Sequence, residues 1–331
     1  MSNIYQAIVV RRSDDRSFTR ALEERSIDDL PQDEVLIRVH YSSLNYKDGL
    51  SCVGNPGVTR HYPHTPGIDA AGIVESSHSH EFKAGDSVMI TSFDLGMNTP
   101  GGFGQFVRVP AKWVIPLPEG LSLRESMIFG TAGYTAGLSV DVLQRHGLIP
   151  RGGPIVVTGA TGGVGSVSVA LLARLGYSVT ASTGKPDAGV FLQELGASEV
   201  IGREPVNDEL ERPLLKETWA GGIDTVGGTT LATVLKACKE GGAVVATGLV
   251  SSSDLPTTVF PFILRGVSLL GINAQGTTLS LRREIWSRLA TEWKPAVLER
   301  LAVDRSLEQL DPEIDLILAG GQRGRVVVDL R

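Results

Sequence analysis

The chain has 331 residues, 42% of them hydrophobic and 21% charged, which is enough to bury a large core and to build about two domains. A formal net charge of -6 argues against a nucleic-acid surface, and no apolar run reaches the roughly 18–20 residues of a membrane span. The segment from Met1 to Arg12 lacks a signal-peptide pattern and the two cysteines, Cys52 and Cys238, make no disulfide framework, so a soluble cytoplasmic protein is expected.

The first third reads as short strands separated by turns. Glu34–His40 carries β-branched residues at strand spacing. A glycine-rich turn at Gly67 precedes a strand reaching Glu75. Lys83-Ala84-Gly85-Asp86 feeds a strand through Ile90, and Phe103–Val109 follows. Such strands predict a compact β-barrel or sandwich. Leu121–His146 is richer in helix formers, though Gly130, Gly133 and Gly137 interrupt it. From Pro154 the chain alternates. Strands are expected at Ile155–Thr158, Tyr177–Ala181, Ile223–Val226, Ala243–Leu249 and Val267–Ile272. Helices are expected after Gly163 and around Val190–Leu195. Repeated βα units imply a parallel sheet with helices on both faces. The end, Arg325–Arg331, is again a strand that returns to the first domain.

The strand Ile155–Thr158 runs directly into Gly159-Ala160-Thr161-Gly162-Gly163-Val164-Gly165, and a helix follows. A pyrophosphate needs close backbone N–H groups and the positive end of a helix, and side chains at those positions would block it. A glycine cluster alone also serves ordinary turns. The order strand, turn, helix, strand is what makes this one a dinucleotide site. At the end of the next strand, NAD-binding folds usually carry Asp or Glu for the ribose 2′-hydroxyl. This chain has Ser182-Thr183-Gly184-Lys185, and Arg203 follows Glu199-Val200-Ile201. Lys185 or Arg203 alone reads as a solvated charge. As a pair near one ribose they suit a 2′-phosphate, which selects NADPH.

With these motifs in place, the chain resembles the medium-chain dehydrogenase/reductase superfamily along nearly its full length. Within it, the sequence is similar to the acryloyl-CoA reductase and quinone oxidoreductase group. The resemblance rests on Ser42–Asp48, Pro66–Gly72, Gly130–Ala136, Val157–Gly165, Trp219–Gly227, Leu255–Arg265 and Gly324-Arg325. It implies an α/β fold: a Rossmann doubly wound parallel sheet for NADPH plus a GroES-like β-rich domain for substrate, with a cleft between them. The expected boundaries are 1–122 with 300–331 for the GroES-like part and 123–299 for the Rossmann part. It also implies a homodimer pairing Val267–Ile272 of two copies.

Zinc-dependent relatives hold catalytic zinc with a Cys near Asn45 and a His near Ile68, and neither ligand is present here. A four-cysteine zinc lobe is impossible with two cysteines. His78-Ser79-His80-Glu81 lies in a polar turn and reads as a solvated loop. His61 and His64 flank Pro63 and read as cleft or packing residues. A metal-free reduction of an activated C=C bond is therefore expected, with hydride added to the β-carbon of a short α,β-unsaturated acyl thioester. Acryloyl-CoA to propanoyl-CoA is the leading assignment. An NADPH:quinone oxidoreductase is the alternative, and a non-catalytic NADPH-binding protein is the reading from another class.

The resemblance puts Tyr46 beside the nicotinamide, as a cofactor contact before a proton donor. A phenol of ordinary pKa about 10 is a poor acid at neutral pH. Asn45 and Asp48 are candidates for positioning Tyr46 or the substrate, and Asp48 reads equally well as a turn or cap residue. Further cofactor contacts carried over are Thr131, Thr135, Leu249, Asn273 and Arg325, the last facing the cleft. Asp224 is expected to be structural. Lys47, Arg60 and Arg323 are candidates for the 3′-phosphate of CoA.

Overall fold

The computed structural model describes residues 3–210 and 212–331. Its chain forms two compact units, Met1–Thr131 with Ala302–Arg331, and Ala132–Leu301.

The first unit begins with an antiparallel pair that the sequence analysis missed, β1 (Ile4–Arg12) and β2 (Phe18–Ser26). Charge hides β2, since Arg20, Glu23, Glu24 and Arg25 interrupt any apolar alternation. Next come β3 (Val35–Ser43), the short helix α1 (Tyr46–Cys52), β4 (Asp69–Ser77), β5 (Ser87–Thr91), β6 (Phe106–Val109) and β7 (Ile115–Pro116). Val35, Ile37 and Val39 on β3 join Val88 and Ile90 of β5 in the core.

Helix α2 (Leu123–Arg145) is broken at Gly130, which has φ 52° and ψ −157°. The boundary between the two compact units falls inside it, after Thr131. The break explains this, because residues up to Thr131 are bonded into the first unit.

The second unit runs β8 (Ile155–Val157), α3 (Gly163–Arg174), β9 (Val179–Ser182), α4 (Gly189–Glu194), β10 (Glu199–Ile201), β11 (Trp219–Asp224), α5 (Gly228–Lys236), β12 (Cys238–Ala246), α6 (Phe260–Arg265), β13 (Ser268–Gly271) and α7 (Leu279–Ala290). Its six strands are parallel, in the order β10-β9-β8-β11-β12-β13. Counted along the chain that is 3-2-1-4-5-6, with the reversal between β8 and β11. Such a reversal opens a crevice at the carboxyl ends of the strands, where dinucleotides bind. β11 starts earlier than expected because Gly221 and Gly222 are strand rather than turn residues. A Cβ on Gly221 would press on the Leu148 side chain and the Ala243 carbonyl.

The chain then returns to the first unit through β14 (Ala302–Ser306), α8 (Leu310–Leu318) and β15 (Arg325–Asp329). β15 pairs with β3 and β14, completing a sheet ordered β14-β15-β3-β4-β5-β7 with β6 on β3. No helix among the described residues is long and apolar enough to cross a membrane.

Candidate functional site

In the first unit, the strand β3 ends at Ser43 and α1 begins at Tyr46, so Asn45 is the helix N-cap. Tyr46 is 41% exposed. The Asp48 carboxylate reaches back to the Asn45 N–H at 2.7 Å, satisfying a donor that the first turn of a helix leaves open. Its other oxygen accepts from the Gly67 and Ile68 N–H groups at 3.2 and 2.9 Å. Asp48 is fully buried. Burial, with the charge of Asp69 added, pushes its carboxyl up to about 7. Of the two readings given to Asp48, the structure displays the cap.

Asp69 is the centre of this region, and sequence reasoning gave it no role. It is 0% exposed. Its carboxylate accepts from Ser43 Oγ at 2.6 Å, Asn45 Nδ2 at 2.7 Å, Thr131 Oγ1 at 2.6 Å and the Thr131 N–H at 2.9 Å. The only available signal was a charged residue opening an apolar strand, Asp69-Ala70-Ala71. Ser92 bonds the Thr131 hydroxyl at 2.9 Å from a left-handed conformation, φ 66°.

Arg325, expected to face the cleft, is 2% exposed. Its guanidinium donates to the Ile128 carbonyl at 3.1 Å, the Leu44 carbonyl at 3.1 Å and Ser43 Oγ at 2.8 Å, and lies 3.9 Å from Asp69. These bonds explain the break in α2. A kink at Gly130 frees groups of the helical ladder. Arg325 takes the Ile128 carbonyl and Asp69 takes the Thr131 N–H. A Cβ on Gly130 would lie 2.5 Å from both Asp69 Oδ2 and Ser43 Oγ, so only glycine fits. Asn45, Asp48, Thr131 and Arg325 are thus brought together by Asp69.

In the second unit, Gly159 leaves β8 with φ 58°, and the Ala160 N–H bonds the Ser182 carbonyl at the end of β9. Gly163, Val164 and Gly165 form the first turn of α3, where N–H groups have no partner within the helix. A Cβ on Gly165 would run into the Gly159 carbonyl, so the turn folds this tightly only with glycine there. Ala160 and Thr161 are buried beneath it, while Gly159, Gly162, Gly163 and Val164 are partly open. The cradle fits a pyrophosphate.

Ser182 and Thr183 are buried; the Ser182 hydroxyl bonds the Gly202 carbonyl at 3.0 Å and the Thr183 hydroxyl accepts the Lys185 N–H at 3.1 Å. Lys185 Nζ donates to Thr161 Oγ1 at 3.2 Å, which leans the ammonium toward the turn. The Arg203 guanidinium lies across Gly184, where any Cβ would strike it. Two cations therefore flank one exposed glycine at the ends of β9 and β10, and the Glu204 carboxylate lies against the neighbouring Gly202.

Leu249 and Asn273 are exposed past the ends of β12 and β13. The Asn273 side chain folds back on its own turn, accepting the Gly276 N–H at 3.1 Å. Thr135 is buried in α2 within this unit, its carbonyl bonded by Ser139. His78 and His80 are exposed on a bend, while His64 is buried and its backbone pairs with Val10. Among the described residues, no group of three or more His, Cys, Asp or Glu side chains could hold a metal ion.

The family described as "Alcohol dehydrogenase GroES-like domain" matches residues 31–119, and that described as "Zinc-binding dehydrogenase" matches residues 163–292. The acrylyl-CoA reductase AcuI of Ruegeria pomeroyi is 46% identical over 329 residues, 99% of each chain. YhfP of Bacillus subtilis, provisionally named a quinone oxidoreductase, is 45% identical over 332 residues, 100% of each chain. Its crystal structure with NAD bound superposes with a TM-score of 0.96, at 44% identity over 99% of this chain and 100% of that one. The yhdH oxidoreductase of Salmonella enterica in complex with NADP superposes with a TM-score of 0.95, at 41% identity over 98% of this chain and 100% of that one. The chain belongs to the medium-chain dehydrogenase/reductase superfamily, in the group that holds AcuI and YhfP, as a GroES-like unit joined to a Rossmann unit.

Proposed function

We propose that this protein is an NADPH-dependent reductase of short α,β-unsaturated acyl thioesters, converting acryloyl-CoA to propanoyl-CoA without a metal. The observation that carries the substrate is the 46% identity to an acrylyl-CoA reductase over 99% of both chains. The cofactor assignment is supported by Lys185 and Arg203 around Gly184, where a 2′-phosphate finds two cations. The NADP complex of the Salmonella relative agrees with it.

Bound NADPH supplies the hydride for the β-carbon of the enoyl thioester. A proton taken up from solvent completes the α-carbon, and the chain's own residues bind and orient the reactants. The N–H groups of Gly163–Gly165 and the glycine turn hold the pyrophosphate. Tyr46, open to solvent at the start of α1, contacts the nicotinamide end and orients the acceptor. Asn45, Asp48 and Arg325 act behind it. Asp48 and Asp69 fix Asn45, Arg325 fixes Leu44, and so the segment carrying Tyr46 keeps one geometry.

The same reading gives a cytoplasmic homodimer. β13 is an edge strand with one side unpaired in the sheet, and Phe260, Ile263 and Leu264 are exposed on α6. Sedimentation at micromolar concentration tests the dimer, which a monomer mass refutes.

The test of activity is NADPH oxidation with acryloyl-CoA, crotonoyl-CoA and a small quinone. Turnover of acryloyl-CoA is expected. Quinone turnover without acryloyl-CoA turnover overturns the substrate. Tight NADPH binding with no turnover of any of the three identifies a binding protein instead.

A further inference from the structure

One buried aspartate, through its carboxylate and its backbone carbonyl, ties together the ends of three neighbouring strands beside the glycine turn. Asp224 closes β11 and is fully buried. Its Oδ1 accepts from the hydroxyl of Thr158, the residue after β8, at 2.6 Å. Its Oδ2 accepts the Gly227 and Val226 N–H groups at 2.7 and 3.2 Å. Its backbone carbonyl accepts the Thr247 N–H at 2.9 Å and the Thr247 hydroxyl at 3.1 Å, just past β12. Thr225 closes the circuit. Its N–H donates to Thr158 Oγ1 at 3.2 Å, and its hydroxyl donates to the Thr158 carbonyl at 3.0 Å. The Thr158 hydroxyl thereby serves as donor to Asp224 and as acceptor from Thr225 at once.

The Thr225 hydroxyl also lies flush against Gly159, because a Cβ built there would collide with it. This matters for a turn containing Gly159, Gly162, Gly163 and Gly165. Glycine permits the tight approach but loses more conformational freedom than any other residue when it is held still. Backbone N–H groups bind phosphate well only when they are already in place. Within the turn Thr161 Oγ1 is tied to Lys185 Nζ at 3.2 Å, but Gly159 itself offers only backbone. The strand next door supplies the hold.

We propose that Asp224 is a positioning residue for the dinucleotide. It does not touch the cofactor. Through Thr158 and Thr225 it fixes Gly159 at the crevice between β8 and β11, so that the turn meets the pyrophosphate preformed. The proposal rests on the reading of Gly159–Gly165 as the cofactor turn. Because the tie acts on the part of the site common to both nicotinamide cofactors, its loss weakens NADPH and NADH alike. Loss of Lys185 or Arg203 weakens NADPH alone.

Fluorescence titration of the full chain with NADPH and with NADH tests this, alongside the thermal midpoint of each variant. Asp224→Asn and Thr158→Val are each expected to raise both dissociation constants about ten-fold, as for a lost charge-assisted or buried hydrogen bond. The double variant is expected to lose no more than the worse single one, since both residues act in one network. Thr158→Ser keeps the hydroxyl and is expected to bind as the parent does. Val234→Ala, a core change in α5 of the same unit, is expected to lower the thermal midpoint while leaving both constants unmoved. Constants within about two-fold of the parent for both tie variants overturn the proposal. So does weakening of NADPH alone, or equal weakening by Val234→Ala. If Asp224→Asn does not fold, Thr158→Val and Thr225→Val carry the same test. A parent chain that binds neither cofactor overturns the cofactor reading itself, an outcome distinct from the others.

Discussion

The carboxyl of Asp48 makes a pH-dependent prediction. It is pushed up to about 7 by burial and by the neighbouring charge of Asp69, whereas an unfolded Asp titrates near 3.9. Between those values the native state holds a proton that the unfolded state has released. Stability then falls as pH rises through that window, by as much as about 1.4 kcal/mol per pH unit. Integrated from pH 5 to pH 8 with those two values, the loss is about 3 kcal/mol. Asp48→Asn removes this titration and leaves the other ionisable groups in place. The unfolding free energy of the variant should therefore gain on that of the parent by about 3 kcal/mol between pH 5 and pH 8. Urea unfolding of both proteins at pH 5, 6, 7 and 8 measures the difference. Its change with pH is the test, because at any one pH the new amide also sets an N–H against the Asn45 N–H. A difference constant to within about 0.5 kcal/mol refutes the reasoning. It would mean that the three backbone N–H groups on Asp48 hold it ionised throughout.

Three further outcomes are expected. Lys185→Ala should weaken NADPH roughly ten-fold while leaving NADH binding unchanged, measured by the same fluorescence titration, and equal weakening of both would remove the 2′-phosphate role. Tyr46→Phe should lower kcat with acryloyl-CoA while the thermal midpoint holds, since the hydroxyl is not part of a core; an unchanged rate would leave Tyr46 as a surface residue. Gly130→Ala should destabilise the protein by roughly 2–4 kcal/mol in urea unfolding, from the positive φ and from contact with Asp69 and Ser43. A variant as stable as the parent would show that the break in α2 is not enforced from outside.

Some of this was legible in the residues because the signals are local. The turn Gly159–Gly165 sits between a buried strand and a helix, and both periodicities lie within a few residues of it. The β9 end shows its lack of Asp or Glu in a four-residue run, Ser182–Lys185, a signal just as local. The strand at Arg325–Asp329 announces itself by three consecutive valines. β1 and β2 were missed because their partners are each other, with charged side chains on the exposed face. α1 was missed because seven residues with an internal glycine make a poor helix by propensity. It forms because Asp48 caps it and because it packs on α8 far along the chain.

By itself, then, the sequence determined the order of elements around the glycine turn, the two cations after β9 and β10 and the missing zinc ligands near Asn45 and Ile68. Those are matters of which residue stands next to which. The tertiary structure alone decided what the buried charges do. Asp69 gathers Ser43, Asn45 and Thr131, and Arg325 bonds the Ile128 carbonyl at the break in α2. Asp224, expected to be structural, accepts the Thr158 hydroxyl, and its neighbour Thr225 bonds the Thr158 carbonyl. The physical reason is the same in each case. A buried ionised group must find its hydrogen bonds wherever the fold brings donors, and those donors come from segments distant in sequence.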